Sequence, residues 1–167
     1  MIDAQHWVCG VKGIQRRVNT QGHLLVTVHR RENWGDDVEE ICHAIADIAV
    51  QNPMLKVLFP VHLNPVIQAP VHRILGDLKN VVLTSPLDYL QMQQALVDAW
   101  LVLTDSGGLQ EEAPTFGVPV LVLRDETERP EAVAAGCAAG RSPPFRQSGR
   151  LWCVFVPAAP VSGPDRA

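Results

Sequence analysis

Over residues 23–136, short apolar runs alternate without interruption with longer segments of helical period, and few folds accommodate that pattern. The runs at 23–28, 55–59, 81–84, 101–104 and 119–123 are almost wholly apolar, as expected of strands covered on both faces. Between the first two, Asp36 or Asp37 can cap a helix in which Val38, Ile41, Ile45, Ile48 and Ala49 follow helical spacing, with Asn52 and Pro53 ending it. Asn64 followed by Pro65 predicts a second helix start, because proline at the first helical position loses no needed hydrogen bond. Pro70 predicts a kink or a break inside that helix. Further helices fit 87–98, 108–116 and 129–135. Five strands joined by helices imply right-handed crossovers and a parallel sheet, an α/β, doubly wound, Rossmann-like layer.

Charge divides the chain. Residues 1–136 carry 10 basic and 17 acidic groups, whereas 137–167 carry four arginines and one aspartate, together with five of the 13 prolines. The expected organisation is a leader at 1–20, a body at 21–136, and a Pro- and Arg-rich tail at 137–167 that reads as poorly ordered. Within that tail the apolar run 151–156 is a candidate strand. The overall net charge of -4 disfavours general nucleic-acid binding, for which a basic surface would be the first sign. No run of 18 or more apolar residues occurs and the first residues lack a signal-peptide pattern, so a cytoplasmic protein without membrane contact is expected. Cys9, Cys42, Cys137 and Cys153 match no zinc spacing and read as reduced thiols. No metal site is expected.

Ligands of doubly wound sheets bind at the carboxyl ends of the strands, and the loops there are polar. His29-Arg30-Arg31-Glu32-Asn33 follows the first run, Pro60-Val61-His62-Leu63-Asn64 the second, Asp105-Ser106-Gly107-Gly108 the fourth and Arg124 to Pro130 the fifth. Glycines at a helix start let backbone N–H groups approach an anion closely, so Ser106, Gly107 and Gly108 are candidates to hold phosphate. A tight turn without ligand fits the same string. Glu112, one turn further on, can accept from vicinal sugar hydroxyls or belong to a solvated face. Arg129 precedes Pro130 at a helix start, where a cation is misplaced unless an anion lies nearby; the alternative is a surface ion pair with Glu126 or Glu128. His29 at a strand end could donate to a phosphate or transfer a proton. His62 reads as a structural hydrogen-bonding group.

Taken together, VTVHRREN (26–33), FPVHLNP (59–65), PLDYL (86–90) and LTDSGGLQEEAPTFGVPVLVLRDETERPEAV (103–133) resemble the non-hydrolysing UDP-N-acetylglucosamine 2-epimerases of bacteria. The resemblance covers residues 15–136. It implies one half, the C-terminal nucleotide-binding one, of a glycosyltransferase-B-like pair of Rossmann-type domains. It also implies interconversion of UDP-N-acetylglucosamine and UDP-N-acetylmannosamine by elimination of UDP and its re-addition on the other face of C2, with neither metal nor NAD as cofactor. On that basis His29 contacts the diphosphate and is the candidate catalytic residue. Ser106, Gly107 and Gly108 hold phosphate, Glu112 binds the ribose, and Arg129 completes the UDP site. Arg30 and His62 match positions of a second, regulatory UDP-N-acetylglucosamine. Family members form homodimers.

The family's N-terminal domain, with its carboxylates for the C2 proton, has no counterpart in the sequence, and the text after Gly136 leaves the family pattern. Met92 stands near a place where family members often have an aromatic residue. The expectation is therefore a UDP-binding half that is inactive alone, with a separately encoded N-terminal half as a partner. The alternatives are a UDP-sugar-binding module or remnant, and a related nucleotide-sugar glycosyltransferase domain, which would share the phosphate turn without predicting HRREN.

Overall fold

A computed structural model of the chain describes residues 22–123 and the backbone of a short strand at 138–140. The expected leader, Arg129, the helix at 129–135, the run 151–156, and Cys9, Cys137 and Cys153 lie outside the described residues. Six strands form one sheet: β1 (His23–Thr27), β2 (Val57–Pro60), β3 (Val81–Thr84), β4 (Ala99–Thr104), β5 (Val120–Val122) and β6 (Ala138–Gly140). Every pairing is parallel and the spatial order is β3-β2-β1-β4-β5-β6. The chain steps outward from β1 to β3, then returns to the other side of β1 and continues outward. This reversal is the topological switch of a doubly wound sheet, and it lies between β1 and β4.

Among the described residues, four α-helices connect the strands: α1 (Asp36–Gln51), α2 (Pro65–Leu75), α3 (Tyr89–Val97) and α4 (Gly107–Thr115). Two buried clusters show how they cover the sheet. Leu24, Val26, Leu103 and Leu121 pack with Val38, Ile41 and Ile45 of α1 and Ile67 and Val71 of α2. Leu25, Val102, Val120 and Val122 pack instead with Ala95 and Leu96 of α3 and Leu109 and Ala113 of α4. Neighbouring strand residues thus go to opposite faces, each of them apolar, so the strands read as continuous apolar runs.

Helix ends follow local chemistry. Asn64 Oδ1 accepts from the Val66 N–H at 2.9 Å, capping α2 ahead of Pro65. At α3, Asp88 and Gln91 form a reciprocal capping box, side chain to backbone in both directions. After α4, Gly117 takes a φ of 73°. Its N–H donates to the Pro114 carbonyl while that of Val118 donates to the Ala113 carbonyl, which is a Schellman ending.

Three details depart from expectation. The first cap of α1 is neither Asp36 nor Asp37 but Gly35, at φ 86° and ψ -129°, which leaves both aspartates in the first turn beside the positive end of the helix dipole. Of the two outcomes expected at Pro70, the break does not occur: α2 runs as one helix from residue 65 to 75. Its ring is buried on the same face as Ile67 and Val71, so packing offsets the hydrogen bond it forfeits. The sheet also has a sixth strand. Ala138–Gly140 pairs with β5 in register Val120 to Ala138 through Val122 to Gly140, beyond residue 136.

Candidate functional site at the topological switch

The loops that leave β1 and β4 meet over Asp105, a fully buried carboxylate at the carboxyl end of β4. Its Oδ2 accepts from the backbone N–H of His29 at 3.0 Å, the backbone N–H of Arg30 at 2.8 Å and the side-chain amide of Asn33 at 2.9 Å. Oδ1 lies 2.9 Å from Nδ1 of the His29 ring. Asn33, itself buried, also donates to the Leu123 carbonyl at 3.1 Å, so one amide joins the ends of β1, β4 and β5. Beneath this layer the Thr27 and Thr104 hydroxyls hydrogen-bond across β1 and β4, and Thr104 Oγ1 accepts from the Ser106 N–H at 2.9 Å. The floor of the switch point is thus a polar network enclosed by apolar strands.

This network sets the charge of its members. Burial opposes ionisation of Asp105, but the hydrogen bonds from the His29 ring, the Arg30 N–H, the Asn33 amide and the His29 N–H outweigh it and hold the carboxyl below its ordinary range. The hydrogen bond to Asp105 raises the His29 pKa above its ordinary value, against partial burial and the nearby Arg30 cation. The two directions agree. They describe an ion pair in which the His29 side chain remains 45% exposed, hence open to a ligand.

Ser106 occupies the cap position of α4, and its side chain makes no capping hydrogen bond. The first-turn N–H groups at Gly107 and Gly108 have no carbonyl within the helix to donate to, as at any helix start. First-turn N–H groups, a serine hydroxyl and the His29 imidazole are thus carried by the loops that meet at Asp105. Glu112 is not on a solvated face: it is buried, 5% exposed, and its Oε2 accepts from Nε2 of the buried Gln93 on α3 at 2.8 Å. His62 Nδ1 accepts from the Asn64 N–H at 3.2 Å, a structural role at the start of α2. The His62 and His29 residues also share the wall of a small cavity of about 140 Å³ with Pro86 and Met92. Met92 packs against the α3 and α4 cluster, filling the space with a flexible thioether. A larger cavity of about 930 Å³ opens at the opposite, amino ends of the strands, and among the described residues lining it Lys56 is the one ionisable group. It lies away from the polar network.

Of the residues expected to bind ligand, the structure brings His29, Arg30 and the Ser106-Gly107-Gly108 turn together around Asp105. It seats Glu112 between α3 and α4 and sets His62 beside His29. Asp105, Asn33 and Gln93 were not expected to take part. For Asp105 a signal existed: a carboxylate between a buried strand and a glycine turn has to be buried and paired. Its partners, 72 to 76 residues away, left no local trace.

Among the described residues, no group of three or more His, Cys, Asp or Glu could hold a metal ion, and no helix is long and apolar enough to cross a membrane. The fold and this site define a doubly wound, Rossmann-like domain with a buried polar network at its switch point. Comparison with known proteins places it more narrowly. The sequence profile of the family described as UDP-N-acetylglucosamine 2-epimerase matches residues 1–142, and the chain belongs to that family. It is 59% identical over 113 residues to the UDP-N-acetylglucosamine 2-epimerase of Escherichia coli, an alignment covering 68% of this chain and 30% of the relative. The structure of UDP-GlcNAc 2-epimerase from Neisseria meningitidis bound to UDP-GlcNAc superposes with a TM-score of 0.72 at 38% identity, covering 80% of this chain and 38% of that one. The Methanocaldococcus jannaschii UDP-GlcNAc 2-epimerase in complex with UDP-GlcNAc and UDP gives 0.72 at 28% identity, covering 84% and 42%. The chain thus spans about a third of the length of the relatives it matches.

Proposed function

We propose that this chain is the UDP-binding part of an enzyme that interconverts UDP-N-acetylglucosamine and UDP-N-acetylmannosamine. One observation carries the reading: the order β3-β2-β1-β4-β5-β6 sets the His29–Asp105 pair and the Ser106-Gly107-Gly108 turn side by side at the switch point. In this reading the diphosphate lies across His29 and the start of α4, with Ser106, Gly107 and Gly108 donating to phosphate oxygens. Glu112, oriented by Gln93, accepts from the ribose hydroxyls. Arg129 completes the diphosphate site. Arg30 and His62 belong to a second, regulatory nucleotide-sugar subsite beside the first, consistent with the cavity shared by His29 and His62. The binding unit runs from about residue 21 through the sixth strand, ending near residue 140.

The reaction requires loss of the C2 proton and cleavage of the bond between C1 and the UDP oxygen, giving a 2-acetamidoglucal. UDP and a proton then add back with C2 inverted. The described residues supply anion recognition for that sequence. Acid and base groups at C2 belong to a further domain or to a separately encoded half, and assembly as a homodimer in the cytoplasm accompanies this reading. The deciding experiment is titration calorimetry of the chain with UDP and with uridine. UDP is expected to bind and uridine to bind at least tenfold more weakly, since two or more charge-assisted hydrogen bonds of about 1.5 to 3 kcal/mol each are lost with the phosphates. Equal affinities would remove the diphosphate from the switch point and with it the proposed function.

A further inference from the structure

The carboxylate of Asp105 has a geometry that does more than close two loops. Three donors converge on Oδ2, while Oδ1 is turned to the His29 ring at 2.9 Å. An ionised carboxylate accepts and never donates. The His29 Nδ1 beside it therefore carries a hydrogen in both the neutral and the charged ring. The other nitrogen, Nε2, is left on the outer side of a side chain that is 45% exposed. In the neutral ring Nε2 is a bare lone pair, which repels a phosphate oxygen; in the imidazolium it is a donor to one. The His29 backbone N–H and the Arg30 N–H both donate to Oδ2 and so fix the main chain from which the ring reaches Oδ1.

We propose that Asp105 is the positioning residue of this site: it assigns Nε2 of His29 as the nitrogen offered to the ligand and selects the ring's cationic form for a diphosphate. The ligand half of the statement rests on the function proposed above. The ring half stands on the structure without it. Asp105 touches no substrate in this assignment and acts through His29. The groups that bias the ring are Asp105 from the β4 loop and Arg30 next to it in the chain; His62 of the β2 loop faces the same small cavity. Arg30 opposes the charge and Asp105 favours it, and Asp105 prevails. UDP affinity is therefore expected to be highest below the raised His29 pKa and to fall as pH rises through it.

The test uses the full chain. Imidazole ¹H–¹⁵N spectra taken across pH report the His29 tautomer and midpoint without ligand, and calorimetry reports UDP affinity at the same pH values. The expected result is a neutral ring protonated at Nδ1, a midpoint above 6.5, the ordinary value, and an affinity that declines through that midpoint. In Asp105→Asn the carboxamide matches the carboxylate in size but offers a donor where the ring needs an acceptor. The Nε2–H tautomer then gains population, and both the ring midpoint and the affinity profile move to lower pH. Titration of UDP's own terminal phosphate is common to both proteins and cancels in the comparison. If Asp105→Asn fails to fold, the wild-type tautomer and midpoint still decide. A wild-type ring that is neutral with hydrogen on Nε2, or an affinity profile that Asp105→Asn leaves in place, overturns the proposal. Absence of UDP binding at every pH would instead sink the ligand reading, with the ring spectra still judging Asp105.

Discussion

Asp105 is fully buried, and four donors offset the cost of its burial: the His29 ring, two backbone N–H groups and the Asn33 amide. Truncation to alanine would strand those donors in the floor of the switch point. Leaving a buried donor without a partner costs about 1 to 3 kcal/mol, and the half-exposed ring can turn to solvent. Asp105→Ala is thus expected to lower stability by on the order of 3 kcal/mol in urea unfolding near pH 6. The pH dependence follows from the directions of the two shifts. The depressed Asp105 pKa contributes stability that is complete above the ordinary 3.8 and is lost as pH falls through the lower folded value. The raised His29 pKa contributes stability that is complete below 6.5 and is lost as pH rises through the higher folded value. The difference between wild type and Asp105→Ala should be widest between those ordinary values and shrink on both sides. A difference independent of pH would mean that neither the depressed carboxyl nor the raised imidazole is linked to folding. None of these partners adjoins Asp105 in sequence. The residue types at the strand ends pointed to the right loops, but the hub that joins them emerges only when β1 and β4 are neighbours.

At the scale of elements, the join between the His29 loop and α1 depends on one backbone conformation. Gly35 sits at φ 86° and ψ -129°, and an added Cβ there would meet no atom within 4 Å. Any penalty for Gly35→Ala is therefore conformational and not steric against neighbours. It is expected to cost about 1 to 3 kcal/mol, read as a lower midpoint in urea. An unchanged midpoint would mean that α1 starts along a different path. The elements themselves were largely legible. Strands buried on both faces have an apolar signature that survives without alternation, and Asn64-Pro65 and the segment after Leu87 carry strong start signals. The exceptions have physical causes. Two aspartates follow Gly35 and side-chain capping is the commoner solution, so the local sequence does not point to a glycine cap. Pro70 was read by its lost hydrogen bond, whereas the buried face of α2 depends on its ring. Ala138–Gly140 has no β-branched residue to mark it and is held as a strand by pairing with β5.

For the whole molecule, the family and the extent of the match set what this polypeptide can do alone. The chain spans about a third of its relatives' length, and the site proposed for it is one of anion and nucleotide recognition. Inverting C2 needs acid and base groups positioned on the sugar side of the ligand. The proposed pose sets His29 and Glu112 to the diphosphate and the ribose. His29 is further committed by Asp105, which leaves it one outward nitrogen, and in the proposed pose the phosphate engages that nitrogen. The glucal intermediate also needs a cleft closed against water, which calls for a second surface facing the switch point. The purified chain is accordingly expected to bind UDP-N-acetylglucosamine and leave it unchanged. Proton NMR in deuterated water would show neither exchange at C2 nor growth of the mannosamine epimer. Either signal, proportional to protein concentration and abolished by His29→Ala, would mean that the proton-transfer groups lie within this chain and that the imidazole does more than hold an anion.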